Sequence, residues 1–167
     1  GAFDQVLPAW LAAHRDRRFF LYLHFREPHF PYDPPPPFDT LFGPDAPLDH
    51  AQRSGRDWVG GVNSGSRPSP AEVEHLRRLY DGNLAFADQQ LGVLRRRLEQ
   101  LGLLARTTLV LTADHGEALY EHGWIGHNVQ LFEESLRIPL IVRFPSGRGP
   151  VGRRVATPVD LVDLGPT

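Results

Sequence analysis

The sequence predicts an α/β domain, and three observations carry that expectation. Two short, continuous apolar runs, FFLYLHF at residues 19–25 and TTLVLT at 107–112, are of the kind buried on both faces of a parallel sheet. A long helical pattern lies between them and begins at Ser69. A third apolar run, IPLIVRF at 138–144, is closed by Pro145 and Gly147. Strand, helix, strand is a βαβ unit, which implies parallel strands, a right-handed crossover and helices on both faces of the sheet. With 167 residues, 41% of them hydrophobic, the chain is long enough for one domain with its own core, and residues 1–167 are read as a single domain.

Residues 4–14 alternate loosely, like the end of a helix whose start is limited by Pro8. After the first strand comes REPHFPYDPPPPF (26–38), whose six prolines forbid helix and regular ladder alike, so a rigid extended loop is expected. Residues 41–68 carry glycine, proline, serine and asparagine without a period and read as a long surface insertion. Order returns with Ser69 as N-cap, Pro70 at the first helical position and Glu72 closing a capping box. Val73, Leu76, Tyr80, Leu84, Ala87, Leu91, Leu94, Leu98 and Leu101 then fall in steps of three and four on one face. Gly82 and Gly92 weaken this helix by about 1 kcal/mol each, and it is expected to stop near Gly102.

Composition narrows the chemistry. A net charge of −2 gives no broad electrostatic case for nucleic acid or an acidic membrane surface. All 18 basic residues are arginine, so a cation facing an anion must be arginine, a protonated histidine or a bound metal. Without cysteine there is no disulfide, thiolate metal site or cysteine nucleophile. No apolar run approaches membrane-spanning length, and residues 2–11 lack a signal-peptide pattern. Both ends read as cuts within something longer.

Parallel strands bring their C-terminal ends to one edge, where open α/β sheets bind ligands. Glu27 and His29 follow the first strand, Asp114 and His115 follow the second, and the loop with Glu121, His122 and His127 leaves the same edge. A carboxylate and an imidazole at a strand end suit a divalent cation, with Gly116 letting the backbone turn away; the plainer alternative is that Asp114 caps a helix and His115 packs in the crevice. No His-Glu-x-x-His pattern points to a zinc protease. His29, clamped between Pro28 and Pro31, is either preorganised for a ligand or a buried histidine bonded to backbone. His127, after Gly126, is either a donor to an oxyanion or leaving group, or an ordinary loop histidine. Glu133 and Glu134 begin a solvated turn or helix. Ser66-Arg67-Pro68-Ser69-Pro70 has the outline of a nucleophile motif, but Pro70 stands where arginine is required and capping explains Ser69.

Taken together, FFLYLHFREPHFPYDPP, YDGNLAFADQQLG, LVLTADHGEALYEHGWIGHN and LFEESLRIPLIVRFP resemble the sulfatases of the alkaline phosphatase superfamily, in the family's order and over most of the chain. The resemblance implies an alkaline-phosphatase-like fold, a mixed, largely parallel sheet flanked by helices, incomplete in this chain. It implies a hydrolase of small-molecule or carbohydrate sulfate esters. Asp114 and His115 match a metal pair, for calcium first, with Mg2+, Mn2+ or Zn2+ as alternatives. His29 matches a histidine near the sulfate and leaving group, and His127 matches a lysine or histidine that contacts the sulfate. His122 fits a recurrent Glu-His-Gly segment without a role to carry over. A hard cation polarises sulfate oxygens while histidine assists the departing alkoxide. Without lysine, His127 acts as imidazolium, which makes activity sensitive to mildly acidic pH.

Two departures qualify the match. Glu27 replaces an aspartate before Pro-His. The family's acidic pair and its Cys/Ser-x-Pro-x-Arg segment, source of the formylglycine nucleophile, are expected upstream of Gly1. These residues alone are therefore expected to be inactive and to present an open sheet edge prone to self-association. Rival readings are a phosphodiester or phosphonate hydrolase, a phosphoglycerol transferase, or a non-catalytic scaffold. Periplasmic or secreted localisation follows from family analogy alone.

Overall fold

The computed structural model describes residues 2–43, 55–127 and 129–166, and its spine is one long helix. The elements in chain order are α1 (Ala2–His14), α2 (Arg56–Asn63), α3 (Pro70–Gln100), β1 (Leu109–Thr112), β2 (Ala118–Leu119), β3 (Ile125–Gly126), α4 (Glu133–Leu136) and β4 (Leu140–Arg143). Single 3-10 turns lie at Leu104–Arg106 and Leu161–Asp163. Among the described residues no helix is long and apolar enough to cross a membrane.

Both ends of α3 are where the sequence puts them. Ser69 Oγ accepts from the Glu72 amide at 3.3 Å, and the Glu72 carboxylate accepts from the Ser69 amide at 2.7 Å. At the other end Gly102 takes φ +67°, its N–H donates to Glu99 O at 2.9 Å and the Leu103 N–H donates to Leu98 O at 2.8 Å. That is a Schellman closure, with Leu98 and Leu103 in one apolar cluster as its hydrophobic contact.

Two apolar clusters flank the helix. Leu7 and Leu11 of α1 meet Leu98, Leu103 and Leu104 in the first. Tyr32, Val62, Leu76, Leu79 and Ile125 form the second, beneath the polar loops. Pro8 sits inside α1 rather than delaying it. Proline removes one backbone hydrogen bond, and the burial of Leu7 and Leu11 on either side holds the helix through it.

Several expectations change. Residues 19–25 form no regular element and join no ladder: Phe19, Leu21 and Leu23 pack on the first cluster, whereas Phe20 and Tyr22 are 90% and 73% exposed. The parallel pairing expected of a βαβ unit is not found among the described residues. β1 instead pairs antiparallel with β4, in the register Leu109↔Arg143 to Thr112↔Leu140, because the chain between them folds back through loop, hairpin and α4. The insertion read at 41–68 contains α2; its residues 44–54 lie outside the described residues.

Gly82 is not a weak point of α3 but a contact point. A Cβ there would stand 2.9 Å from Pro34 Cγ and would collide with the Phe38 carbonyl oxygen, so the proline-rich loop lies flush on the helix. Leu84, placed by periodicity on the buried face, is 43% exposed.

Candidate active site

The site is built where β1 ends. The Thr112 hydroxyl donates to Pro139 O at 2.9 Å, and the Gly116 N–H donates to Ser135 O at 2.8 Å, which docks the Ala-Asp-His-Gly turn on α4. A Cβ on Gly116 would lie 3.0 Å from Glu134 C and 3.3 Å from Arg137 O, and would overlap the Glu134 carbonyl oxygen. Glycine is required here for close backbone approach rather than for a positive φ.

From that turn the chain enters the β2–β3 hairpin, with Ala118 opposite Gly126 and Leu119 opposite Ile125. Gly123 and Gly126 take positive φ, and Tyr120 does so too, at 79°, an uncommon position for a bulky residue. The hairpin is clamped from α2. The Asn63 side-chain amide donates to Ile125 O at 2.8 Å and its oxygen accepts from Ile125 N at 2.9 Å, like one rung of a sheet. Ile125 beneath it is 1% exposed.

This scaffold brings together three of the histidines read from the sequence. The His115 and His127 rings stack with centroids 3.7 Å apart and 26° between planes, and His29 meets His127 edge-on at 5.8 Å. His115 Nδ1 donates to its neighbour Gly116 O at 2.8 Å, which leaves the Nε2 lone pair 3.7 Å from Asp114 Oδ1. His29 Nδ1 is likewise engaged by the adjacent Phe30 carbonyl. His127 Nδ1 lies 3.0 Å from Glu117 Oε1.

Other candidates stand apart from this cluster. His122 pairs with Glu134 at 2.5 Å and stacks on Phe132 at 3.8 Å; its N–H lowers the Glu134 carboxyl below its ordinary value. Glu133 and Glu134 open α4, as the sequence suggested for a helix start, and Glu134 also holds the loop through His122. Glu121 accepts from the Leu119 amide at 2.6 Å and faces Arg77 at 3.4 Å.

The sequence reading passed over Glu117, Tyr32 and Asn63. The Glu117 side chain is only 5% exposed, and the Tyr32 hydroxyl lies against it without a hydrogen bond of ordinary geometry. Burial first, and then the charge of Glu117, raise Tyr32 and Tyr80 above the usual phenol range. A lone glutamate leading into Ala118 and Leu119 was the available signal, since a carboxylate in an apolar stretch needs a partner.

As a metal centre the described residues supply a pair. No group of three or more histidine, aspartate or glutamate side chains among them is arranged around one point. The pair itself fits a cation. A separation of 3.7 Å between Asp114 Oδ1 and His115 Nε2 is less than two calcium–ligand bonds of about 2.3–2.6 Å end to end. Asp114 is largely exposed, so a cation could reach the pair from solvent.

Comparison with known proteins supplies the wider context. The sulfatase family model matches residues 2–167. Arylsulfatase K of Xenopus laevis is 40% identical over 96 residues, 58% of this chain and 17% of the relative. A multifunctional alkaline phosphatase superfamily protein of Trinickia caryophylli is 28% identical over 84% of this chain and 31% of its own length. Among solved structures, a phosphonate monoester hydrolase from Silicibacter pomeroyi superposes with a TM-score of 0.67 at 25% identity, covering 86% of this chain and 32% of that one. The chain thus spans under a third of the length of these relatives, and its fold is alkaline-phosphatase-like.

Proposed function

This chain is a member of the sulfatase family, and on that footing we propose that its site serves the hydrolysis of sulfate esters with a divalent cation, calcium first, held in part by Asp114 and His115. The observation that carries the reading is the convergence of His29, His115 and His127, beside an exposed carboxylate, from the ends of two distant segments. Bound there, the cation would polarise the sulfate oxygens and stabilise charge developing at sulfur. In this chain both His115 and His29 have Nδ1 committed to backbone carbonyls, so each offers Nε2 to whatever enters. His115 would offer it to the cation. His29, protonated at Nε2, would give that proton to the leaving alkoxide, and His127 would face the sulfate oxygens.

Residues 1–167 contain no Cys/Ser-x-Pro-x-Arg segment, so on this reading a formylglycine nucleophile and further metal ligands would have to be supplied by other residues. We expect no turnover of an aryl sulfate by these residues alone. A second reading, phosphonate ester hydrolysis, is favoured by the structural likeness to the Silicibacter pomeroyi enzyme, since metal pair and fold serve both chemistries.

The test compares an aryl sulfate with a phenyl phosphonate monoester in the full-length protein, with calcium titration calorimetry of the same protein and its Asp114→Ala variant. We expect a higher kcat/KM for the sulfate, weaker calcium binding in the variant and a loss of activity of roughly 10²–10³-fold. A preference for the phosphonate would select the second reading. Equal calcium affinity in the two proteins would remove Asp114 from the metal shell.

A further inference from the structure

We propose that Glu117 is a positioning residue for His127: its buried carboxylate accepts the Nδ1–H at 3.0 Å, so that a second proton sits on Nε2, where the imidazolium N–H donates to the anion. The inference rests on the reading that His127 meets the sulfate.

A carboxylate that is 5% exposed is costly to bury, by several kcal/mol, unless a strong partner offsets the loss of water. Its ion partner among the described residues is His127, itself 21% exposed, and no arginine joins the pair. Close to it Ala118 is 0% exposed, Tyr32 is 1% exposed and lies against the carboxylate, and the Tyr32 and Tyr80 rings meet edge-on at 5.4 Å. A leucine at position 117 would serve packing better, because a buried ion pair is commonly no more stable than an apolar replacement of its size. The glutamate is therefore explained by what it does to the imidazole.

Rotation of an imidazole exchanges its two nitrogens, and its two neutral tautomers present different faces to a ligand. Here the ring plane is held by the His115 stack and by the His29 edge, yet neither contact chooses between the nitrogens. Glu117 does choose, since a carboxylate only accepts and so places the proton on Nδ1. Because the carboxylate is itself fixed under the hairpin, ring and tautomer are set before substrate arrives.

The deciding measurement is histidine-selective 15N solid-state NMR of the full-length protein at about pH 8, above the ordinary histidine range, with His127 assigned by its loss in His127→Gln. Wild-type His127 is expected to carry a proton on Nδ1; a proton on Nε2 with Nδ1 bare overturns the inference whether or not any variant folds. Glu117→Leu should convert the signal to the Nε2–H form and lower kcat about 10–100-fold with KM little changed. Glu117→Gln, whose amide oxygen still accepts, should restore both the tautomer and most of kcat. An unchanged tautomer in Glu117→Leu sinks the proposal. If instead the tautomer follows Glu117 but His127→Ala keeps full activity, the role of His127 at the anion fails while its positioning by Glu117 stands.

Discussion

The β1–β4 ladder and the β2–β3 hairpin invert what their letters suggest. The ladder is written in leucine, isoleucine and valine, yet Val110 is 51% and Ile141 59% exposed. The hairpin is flanked by glutamates, histidines and glycines, yet Ala118 is 0% and Ile125 1% exposed. Coverage, not composition, makes the difference. The hairpin sits on Leu76 and Leu79 of α3 and is clamped by Asn63, so this chain supplies its support. Among the described residues the ladder is two strands wide, and apart from Leu109, which meets the first cluster, its apolar side chains are largely open.

The largest expected effect separates the two regions by truncating one side chain in each. Leu76, 0% exposed under the hairpin, should cost about 2–5 kcal/mol as Leu76→Ala in residues 1–167. Val110→Ala in the same chain should stay within about 0.5 kcal/mol, as surface changes do. Urea unfolding of both variants checks this. Repeating Val110→Ala in the full-length protein sharpens it: if further structure covers the ladder, the cost should rise toward about 1–3 kcal/mol. A small cost in both contexts would mean that the apolar face is meant for solvent or for a separate partner.

Next in size is Gly116→Ala, which tests whether the site turn is as tightly seated as the hairpin beside it. The added methyl overlaps the Glu134 carbonyl oxygen and sits 3.0 Å from Glu134 C, backbone that cannot swing away like a side chain. Overpacking of that kind costs about 1–3 kcal/mol. The shift should fall on Asp114 and His115, so metal affinity in the full-length protein should drop further than thermal stability does. Calorimetry beside a melting curve decides it, and a variant as stable and as tight as wild type would show that α4 yields.

How much of this was legible depended on whether the cause was local. The α3 start was readable because Ser69, Pro70 and Glu72 make their bonds among themselves. The meeting of His29, His115 and His127 was readable in outline from the family resemblance; the strand-end argument named the same residues but rested on a parallel edge that the described residues do not form. Glu117 and Asn63 were not: the first is explained by a histidine 10 residues away and the second by a backbone 62 residues away. Residues 19–25 misled for the same reason. A run apolar on both faces promises two covering layers, and Phe20 and Tyr22 have found none here. The antiparallel ladder escaped notice because nothing in a strand's letters records the direction of its neighbour.

The smallest effect lies in the capping box, away from both regions, and serves as their control. Glu72 Oε2 accepts from the Ser69 amide and hydroxyl, each at 2.7 Å, and these bonds lower its carboxyl below the ordinary 4.5. A carboxyl lowered by folding stabilises the fold above its unfolded value, and that contribution is lost as pH falls through the folded one. Ser69→Ala removes the cap at a cost of about 1 kcal/mol near neutral pH. Below the folded value the gap should narrow without closing, because protonated Glu72 has given up its bond from the Ser69 hydroxyl while Ser69 Oγ still accepts from the Glu72 amide. Denaturation of both proteins at neutral pH and at successively lower pH reads the difference directly. A gap that stayed constant down the series would mean that the Ser69 hydroxyl acts on the helix amides alone and that Glu72 adds nothing to the cap.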